Sequence, residues 1–304
     1  MIYINDRNHI NLSRKTAVTL GKFDGIHIGH RLLIDQIVSS KEEGLTPVMF
    51  TFSSAKVIRK DSIDSYIYTE DEKREILEEM GLDILISYPF DDDIKHMDAE
   101  RFIKDILVDQ LQAKRVVVGS DYCFGYQRQG NVDLLLKNSA RYGYECTVYD
   151  KICLENTVVS STSIRNELLN GNIELVNRML GREYSITGEV QYGNQIGRTL
   201  GMPTANIRPA TDKLLPPNGV YVTRIRFDDN EYAGITNIGF KPTIGGETQP
   251  GVETYIFDYN GHLYGKKITV QFCTFVRGEQ KFNSLDSLKE QMHKDMTFGR
   301  SYFK

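Results

Sequence analysis

Along the first half of the chain, short continuous apolar runs alternate with stretches of helical spacing. Ala17–Leu20 reads as a buried strand that runs into a glycine-rich turn, and Arg31–Val38 places its apolar residues one helical turn apart. Thr46–Phe52 predicts a second buried strand, Asp71–Met80 a charged amphipathic helix stopping at Gly81, and Ile84–Tyr88 a third strand. Asp98–Leu111 predicts a helix with an apolar stripe of Phe102, Ile103, Ile106, Leu107 and Leu111, and Arg115–Gly119 a fourth strand. This alternation predicts a parallel sheet covered on both faces by helices. Ligands of such sheets bind beyond the carboxyl ends of the strands, where Gly21–His30 and Gly119–Asp121 fall.

After Gly181 the period changes. Ser185–Val190, Gly219–Ile225, Tyr232–Ile238, Val252–Phe257 and Lys267–Phe272 are short strand-like runs separated by Gly, Asn, Asp and Pro turns. A short helix is expected over Leu285–Met292. The pattern therefore divides the chain into an α/β domain over 1–183 and an all-β domain over 184–304.

The chain's 304 residues suffice for two cores, and a net charge of −4 offers no general attraction to nucleic acid, so phosphate binding should be local. Met1–Arg7 has neither a signal nor a transit pattern and no apolar run reaches membrane-spanning length, so a cytoplasmic protein without a membrane partner is expected. Cys123, Cys146, Cys153 and Cys273 lack metal-site or disulfide spacing and read as reduced thiols.

Gly21, Gly25 and Gly29 let the backbone approach a nucleotide, and the following helix start favours phosphate. His27 and His30, three apart, share one face of that turn. Gly21–His30, with Phe23 and Asp24 inside it, resembles the strand-loop-helix motif of nucleotidyltransferases, in which such histidines contact ATP phosphates. Ser160-Ser161-Thr162-Ser163-Ile164-Arg165 resembles the second motif of that superfamily, which implies Ser160, Ser161, Thr162 and Arg165 as holders of the β- and γ-phosphates. The same hydroxyls are also ordinary helix caps. Gly119–Gly130 resembles the loop of the flavin-dependent branch, implying Asp121, Phe124, Gly125 and Arg128 beside flavin or nucleotide; a glycine turn with Phe124 packed beneath it is the alternative. Thr51-Phe52-Ser53-Ser54-Ala55-Lys56 departs from the family's Thr-Phe-Asp-Pro-His-Pro, which puts substrate grip or rate at this site in question.

In the second half, Gly197-Arg198-Thr199-Leu200-Gly201-Met202-Pro203-Thr204-Ala205-Asn206 resembles the nucleotide loop of riboflavin kinases. That likeness implies Gly197, Arg198, Gly201 and Pro203 at ATP, with the hard oxygen ligands Thr204 and Asn206 at Mg²⁺. Val252–Asp258 resembles the kinase strand whose glutamate, Glu253 here, takes the proton of the riboflavin 5′-hydroxyl. An outward-facing strand carboxylate is the plainer reading of Glu253. Pro217–Tyr221, Asn237–Thr243, Gly261–Gly265 and Phe275–Phe282 also match, implying Asn218 and Arg277 at flavin, although Arg277 equally suits a surface ion pair.

Across its length the chain resembles the prokaryotic bifunctional riboflavin kinase/FMN adenylyltransferase family. The likeness implies a Rossmann-like nucleotidyltransferase domain with a parallel sheet, followed by a small antiparallel β-barrel with a C-terminal helix. It also implies ATP, riboflavin, FMN and FAD as substrates or products, with Mg²⁺ as the metal. A kinase with a weakened first module and a non-catalytic flavin or nucleotide sensor are the alternatives. Oligomeric state is left open.

Overall fold

A computed structural model describes residues 1–6, 10–53, 65–192, 201–242 and 248–304. They form two compact units, one of Met1–Asp64 with Glu70–Ser160 and one of Ser65–Thr69 with Ser161–Lys304. The change of sequence pattern at 183/184 and the start of the second packing unit at Ser161 are different boundaries, because two helices pack with the strands that follow them.

In the first unit, β1 (Ile2–Ile4), β2 (Thr16–Leu20), β3 (Thr46–Ser53), β4 (Ile84–Pro89), β5 (Ala113–Gly119) and β8 (Glu145–Tyr149) form a sheet in the order β1-β4-β3-β2-β5-β8. Every pairing in it is parallel. Alternation along each strand splits the core in two. Ala17, Met49, Leu85 and Val117 pack with Leu33, Ile34 and Ile37 of α1 (Ile28–Ser39) and Leu77 of α2 (Glu70–Glu79). Val18, Leu20, Val48, Phe50, Ile84, Ile86, Val116 and Val118 pack on the other side with Phe102, Ile106 and Leu135. Burial on both faces is why these strands read as unbroken apolar runs. Thr16 and Thr19 tolerate full burial because their hydroxyls donate to the Leu111 and Val117 carbonyls at 2.7 and 2.9 Å.

Between β4 and β5 lie α3 (Asp92–Lys95) and α4 (Ala99–Arg101), the latter continuing as a π-helix over Phe102–Gln110. The expected helix over Asp98–Leu111 is thus present but wider, its end marked by an i→i+5 bond from Leu111 N–H to the Ile106 carbonyl at 2.9 Å. A hairpin of β6 (Cys123–Phe124) and β7 (Gly130–Asn131) leads to α5 (Val132–Tyr142), and β9 (Cys153–Leu154) pairs with β10 (Thr157–Val158).

In the second unit, α6 (Ser161–Leu169) and α7 (Ile173–Leu180) precede a closed antiparallel barrel. Its strands are β11 (Tyr184–Gln191), β12 (Ala205–Ile207), β13 (Gly219–Phe227), β14 (Asn230–Pro242), β15 (Thr248–Ile256) and β16 (Lys267–Arg277), in the order β11-β12-β15-β14-β13-β16. Three buried threonines cross it as a hydroxyl ladder, Thr223 to Thr236 and Thr236 to Thr254, both at 2.8 Å.

The C-terminal helix α8 runs over Leu285–Tyr302, ten residues beyond the expected end at Met292. Gly299 is its close-approach point rather than a stop, since a Cβ there would lie 2.7 Å from Ile235 Cδ1 and 3.0 Å from the Phe257 ring. Arg277 Nη2 pairs with Asp295 of α8 at 2.7 Å, and Asp295 is almost fully buried.

Candidate functional site

The strand order itself locates the first site. β2 is flanked by β3 on one side and β5 on the other, so the chain reverses direction across the sheet at the carboxyl end of β2. There the turn to α1 takes left-handed backbone at Phe23 (φ 49°), Gly25 (φ 86°) and Ile26 (φ 42°). Such a conformation is costly for a β-branched residue. Burial of the Phe23 and Ile26 side chains beneath the turn offsets that cost.

His27 caps α1, its Nδ1 accepting the His30 backbone N–H at 3.3 Å. In the neutral imidazole the proton of His27 must then sit on Nε2, which becomes a donor. The two imidazoles stack 3.6 Å apart, with Phe23 tilted against His30 at 4.9 Å. Gly29 makes room for this stack, because a Cβ there would lie 3.2 Å from the His27 ring. Burial pushes His27 down to about 4, opposed by the charge of Asp121. Burial, then His27 and Lys73, hold His30 well below its ordinary value. Both rings are therefore uncharged at neutral pH. The His30 Nδ1 is buried with no protein hydrogen-bond partner, a cost that a phosphate oxygen or water would relieve.

The charge at the helix starts points the same way. α2, α3, α4, α5, α7 and α8 each carry an acidic residue in the first turn. Among the described α-helices only α1 and α6 carry none. In each of these two helices the positive end of the dipole therefore has no acidic side chain of its own first turn beside it. α6 begins at Ser161 with Thr162 exposed in its first turn, and Arg165 Nη1 donates to the Ser65 carbonyl.

The loop after β5 is mixed in its roles. Asp121 is exposed and pairs with Lys151 at 2.9 Å, and Arg128 is exposed with φ 61°. Phe124 lies in the core, its ring against Phe102 at 5.3 Å and Tyr122 at 5.6 Å. Gly125 (φ 73°) passes so close to Ala99 that a Cβ would lie 2.8 Å away. Phe124 and Gly125 hold the loop's shape from beneath. Ser53 directs its hydroxyl to the Tyr88 carbonyl at 3.3 Å, and Ser54–Lys56 lie outside the described residues.

In the barrel, pairing across strands assembles the second site. Asn206 is opposite Glu253, Glu253 opposite Asn237, Asn237 opposite Val220, and Val220 opposite Arg277. Cross-strand partners share a face, so Asn206, Glu253 and Asn237 stand side by side. That face is opposite the one carrying the buried Thr236 and Thr254. All three residues are partly exposed.

Thr204 and Pro203 border a cavity of 220 Å³ walled by Tyr259, His262 and Tyr264. Tyr264 stacks on the exposed Tyr192 at 4.0 Å. Gly201 takes φ 76° at the entrance to the Pro203–Asn206 segment; Gly197 and Arg198 lie outside the described residues. Asn218 donates to Glu279 at 3.1 Å, while Arg277 is held by Asp295 through both Nε and Nη2.

Two family models match, one described as FAD synthetase over residues 9–163 and one as riboflavin kinase over 180–303. Bifunctional riboflavin kinase/FMN adenylyltransferase from Buchnera aphidicola (subspecies Acyrthosiphon pisum) is 37% identical over 96% of this chain and 95% of its own. That of Haemophilus influenzae is 34% identical over 94% of each chain, and that of Bacillus subtilis 32% over 99% and 98%. The chain belongs to the bifunctional riboflavin kinase/FMN adenylyltransferase family. A Streptococcus pneumoniae protein, whose crystal structure is named as that of a macrolide-efflux protein, matches with a TM-score of 0.87 at 29% identity over 98% of both chains. No helix among the described residues is long and apolar enough to cross a membrane.

Within this family member, Asn237 and the Tyr259–Tyr264 wall were not among the residues singled out for a role from sequence. Asn237 lies in a run that resembles the kinase, but its place beside Glu253 follows from strand pairing between distant segments. Gly261–Gly265 carries the same kind of likeness, and its residues Gly261 to Tyr264 line the cavity beside Thr204.

Proposed function

We propose that the barrel domain, 184–304, transfers the γ-phosphoryl group of ATP to the 5′-hydroxyl of riboflavin, and that the sheet domain, 1–183, adenylylates the resulting FMN. The single observation that carries the kinase assignment is the row Asn206, Glu253, Asn237 beside Thr204. Glu253 accepts the hydroxyl proton as the riboflavin oxygen bonds to the γ-phosphorus and ADP leaves. Pro203, Gly201 and the cavity beside Thr204 take ATP, and Asn218 and the Asp295-oriented Arg277 face flavin.

Thr204 and Asn206 are the Mg²⁺ residues in this reading. Their hydroxyl and amide oxygens, with the Glu253 carboxylate adjacent, form a hard donor set. Bound there, Mg²⁺ would supply neutralisation of phosphate charge.

At the first site, an FMN phosphate oxygen attacks the α-phosphorus of ATP and pyrophosphate leaves. The Nε2–H of His27, the His30 ring, the α1 amide groups, Ser160, Ser161, Thr162 and Arg165 hold the triphosphate, with Gly21, Phe23, Asp24 and Gly25 shaping the turn. Asp121 and Arg128 border the flavin side. Catalysis here is positioning and electrostatics, with both histidines uncharged at neutral pH. The substrates are small molecules, and the compartment is the cytoplasm.

Ser53 in place of the family's aspartate favours one second reading, a kinase with a weakened first site. Incubation of the purified protein with riboflavin, ATP and Mg²⁺, followed by separation of the flavins, is expected to yield FMN and FAD. FMN alone would establish the second reading, and unchanged riboflavin would leave a binding protein without turnover.

A further inference from the structure

Five residues from between β3 and α2, Ser65–Thr69, pack as part of the barrel unit. Tyr66 N–H donates to the Asp212 carbonyl at 2.6 Å, and Leu214 N–H donates to the Tyr66 carbonyl at 2.8 Å. These bonds form a short parallel bridge centred on Tyr66 and Lys213.

Lys213 then closes over the segment. Its ammonium donates to the Ile67 carbonyl at 2.8 Å and lies 4.5 Å from the Tyr68 ring centre and 4.6 Å from that of Tyr184. The side chain is almost fully buried. A buried ammonium is tolerated only with such partners, and here one carbonyl and two aromatic faces supply them. Tyr184 is fixed in turn, fully buried, with its hydroxyl on the Leu214 carbonyl and its ring against Phe272. The far end of the segment bears on chemistry, because the Ser65 carbonyl accepts from Arg165 Nη1.

We propose that Lys213 is a positioning residue for adenylyl transfer, clamping Ser65–Thr69 so that the Ser65 carbonyl orients the Arg165 guanidinium. A guanidinium is a planar fork of five donors, so fixing one N–H on a carbonyl sets the plane in which the others meet phosphate. The inference rests on the reading of Arg165 as a triphosphate ligand. It gives a residue of the barrel sequence a part in ATP affinity during adenylyl transfer. No residue of the kinase site is involved, so riboflavin phosphorylation should be indifferent to Lys213.

The test uses the full chain with Lys213→Met and Lys213→Arg. Loss of one charge-assisted support should raise the KM for ATP in FAD formation from FMN roughly tenfold in Lys213→Met. The kcat for riboflavin phosphorylation should stay at the wild-type value. Hydrogen exchange at the Tyr66 and Leu214 amides should quicken in Lys213→Met, and Lys213→Arg should restore both exchange and KM. Unchanged FAD kinetics in Lys213→Met, or a parallel fall of both activities with melting temperature, would overturn the role of Lys213. Absence of FAD formation by the wild-type chain would instead defeat the reading of the first site on which it rests.

Discussion

At the first site, His27 gives up charge to keep direction. Its Nδ1 is committed to capping α1, so the proton of the neutral ring sits on Nε2, which is left as an uncharged donor. The unfolded chain would protonate this imidazole near 6.5, whereas burial holds the folded group at about 4. The stabilisation is therefore complete above pH 6.5 and is lost as pH falls toward 4, by up to ~3 kcal/mol for this group. His27→Gln should show a smaller drop in melting temperature between pH 7 and pH 5 than the wild-type chain. Equal drops would mean that His27 titrates normally. Glu253 belongs to this scale as well: Glu253→Gln keeps size and position but cannot take a proton. It should lower the kcat for riboflavin phosphorylation by roughly 10²-fold or more while FAD formation from added FMN persists. A parallel loss of both reactions would argue against separate sites.

Among elements, α8 shows how differently two ion pairs of similar length behave. Arg277–Asp295 spans 2.7 Å with Asp295 side-chain exposure of 5%, while Arg300–Asp258 spans 2.8 Å with 46% and 77% exposure. Removing one partner of a buried pair strands a desolvated charge, at a cost of about 3–5 kcal/mol, whereas an exposed pair is screened by water and contributes little. Asp295→Ala should therefore lower the urea midpoint far more than Asp258→Ala; similar shifts would show that α8 is not held by Arg277. The same element explains a difference from the sequence reading. α8 continues ten residues past the expected end at Met292, and within that extension Gly299 lets the helix pass close to Ile235 and Phe257. The π-helical turn over Phe102–Gln110 was likewise invisible, since its apolar residues also suit an α-helical stripe.

For the whole molecule, the packing units and the sequence patterns divide the chain at different places. α7 belongs with the barrel through Asn177, which donates to the Phe272 carbonyl at 2.8 Å and accepts the Tyr184 N–H at 2.7 Å. A fragment of 161–304 should thus melt higher and more cooperatively than one of 184–304, as followed by circular dichroism. Equal melting would mean that the helices α6 and α7 add nothing to the barrel. Both fragments lack Ser65–Thr69, so neither should reach the stability of the barrel unit in the intact chain.

The order of local signals along the chain was enough to establish an α/β half, an all-β half and the motifs at Gly21–His30, Ser160–Arg165 and Pro203–Asn206. Strand period, helix spacing and turn chemistry are properties of neighbouring residues, and they survive in a linear string. Three features could not be read in that way. The Asn206–Glu253–Asn237 row depends on pairing between three separate strands, and the neutral state of His27 and His30 depends on burial. The capture of Ser65–Thr69 by Lys213 joins residues 146 positions apart. Each arises from long-range contacts and exclusion of water, which take their values only when the chain is folded.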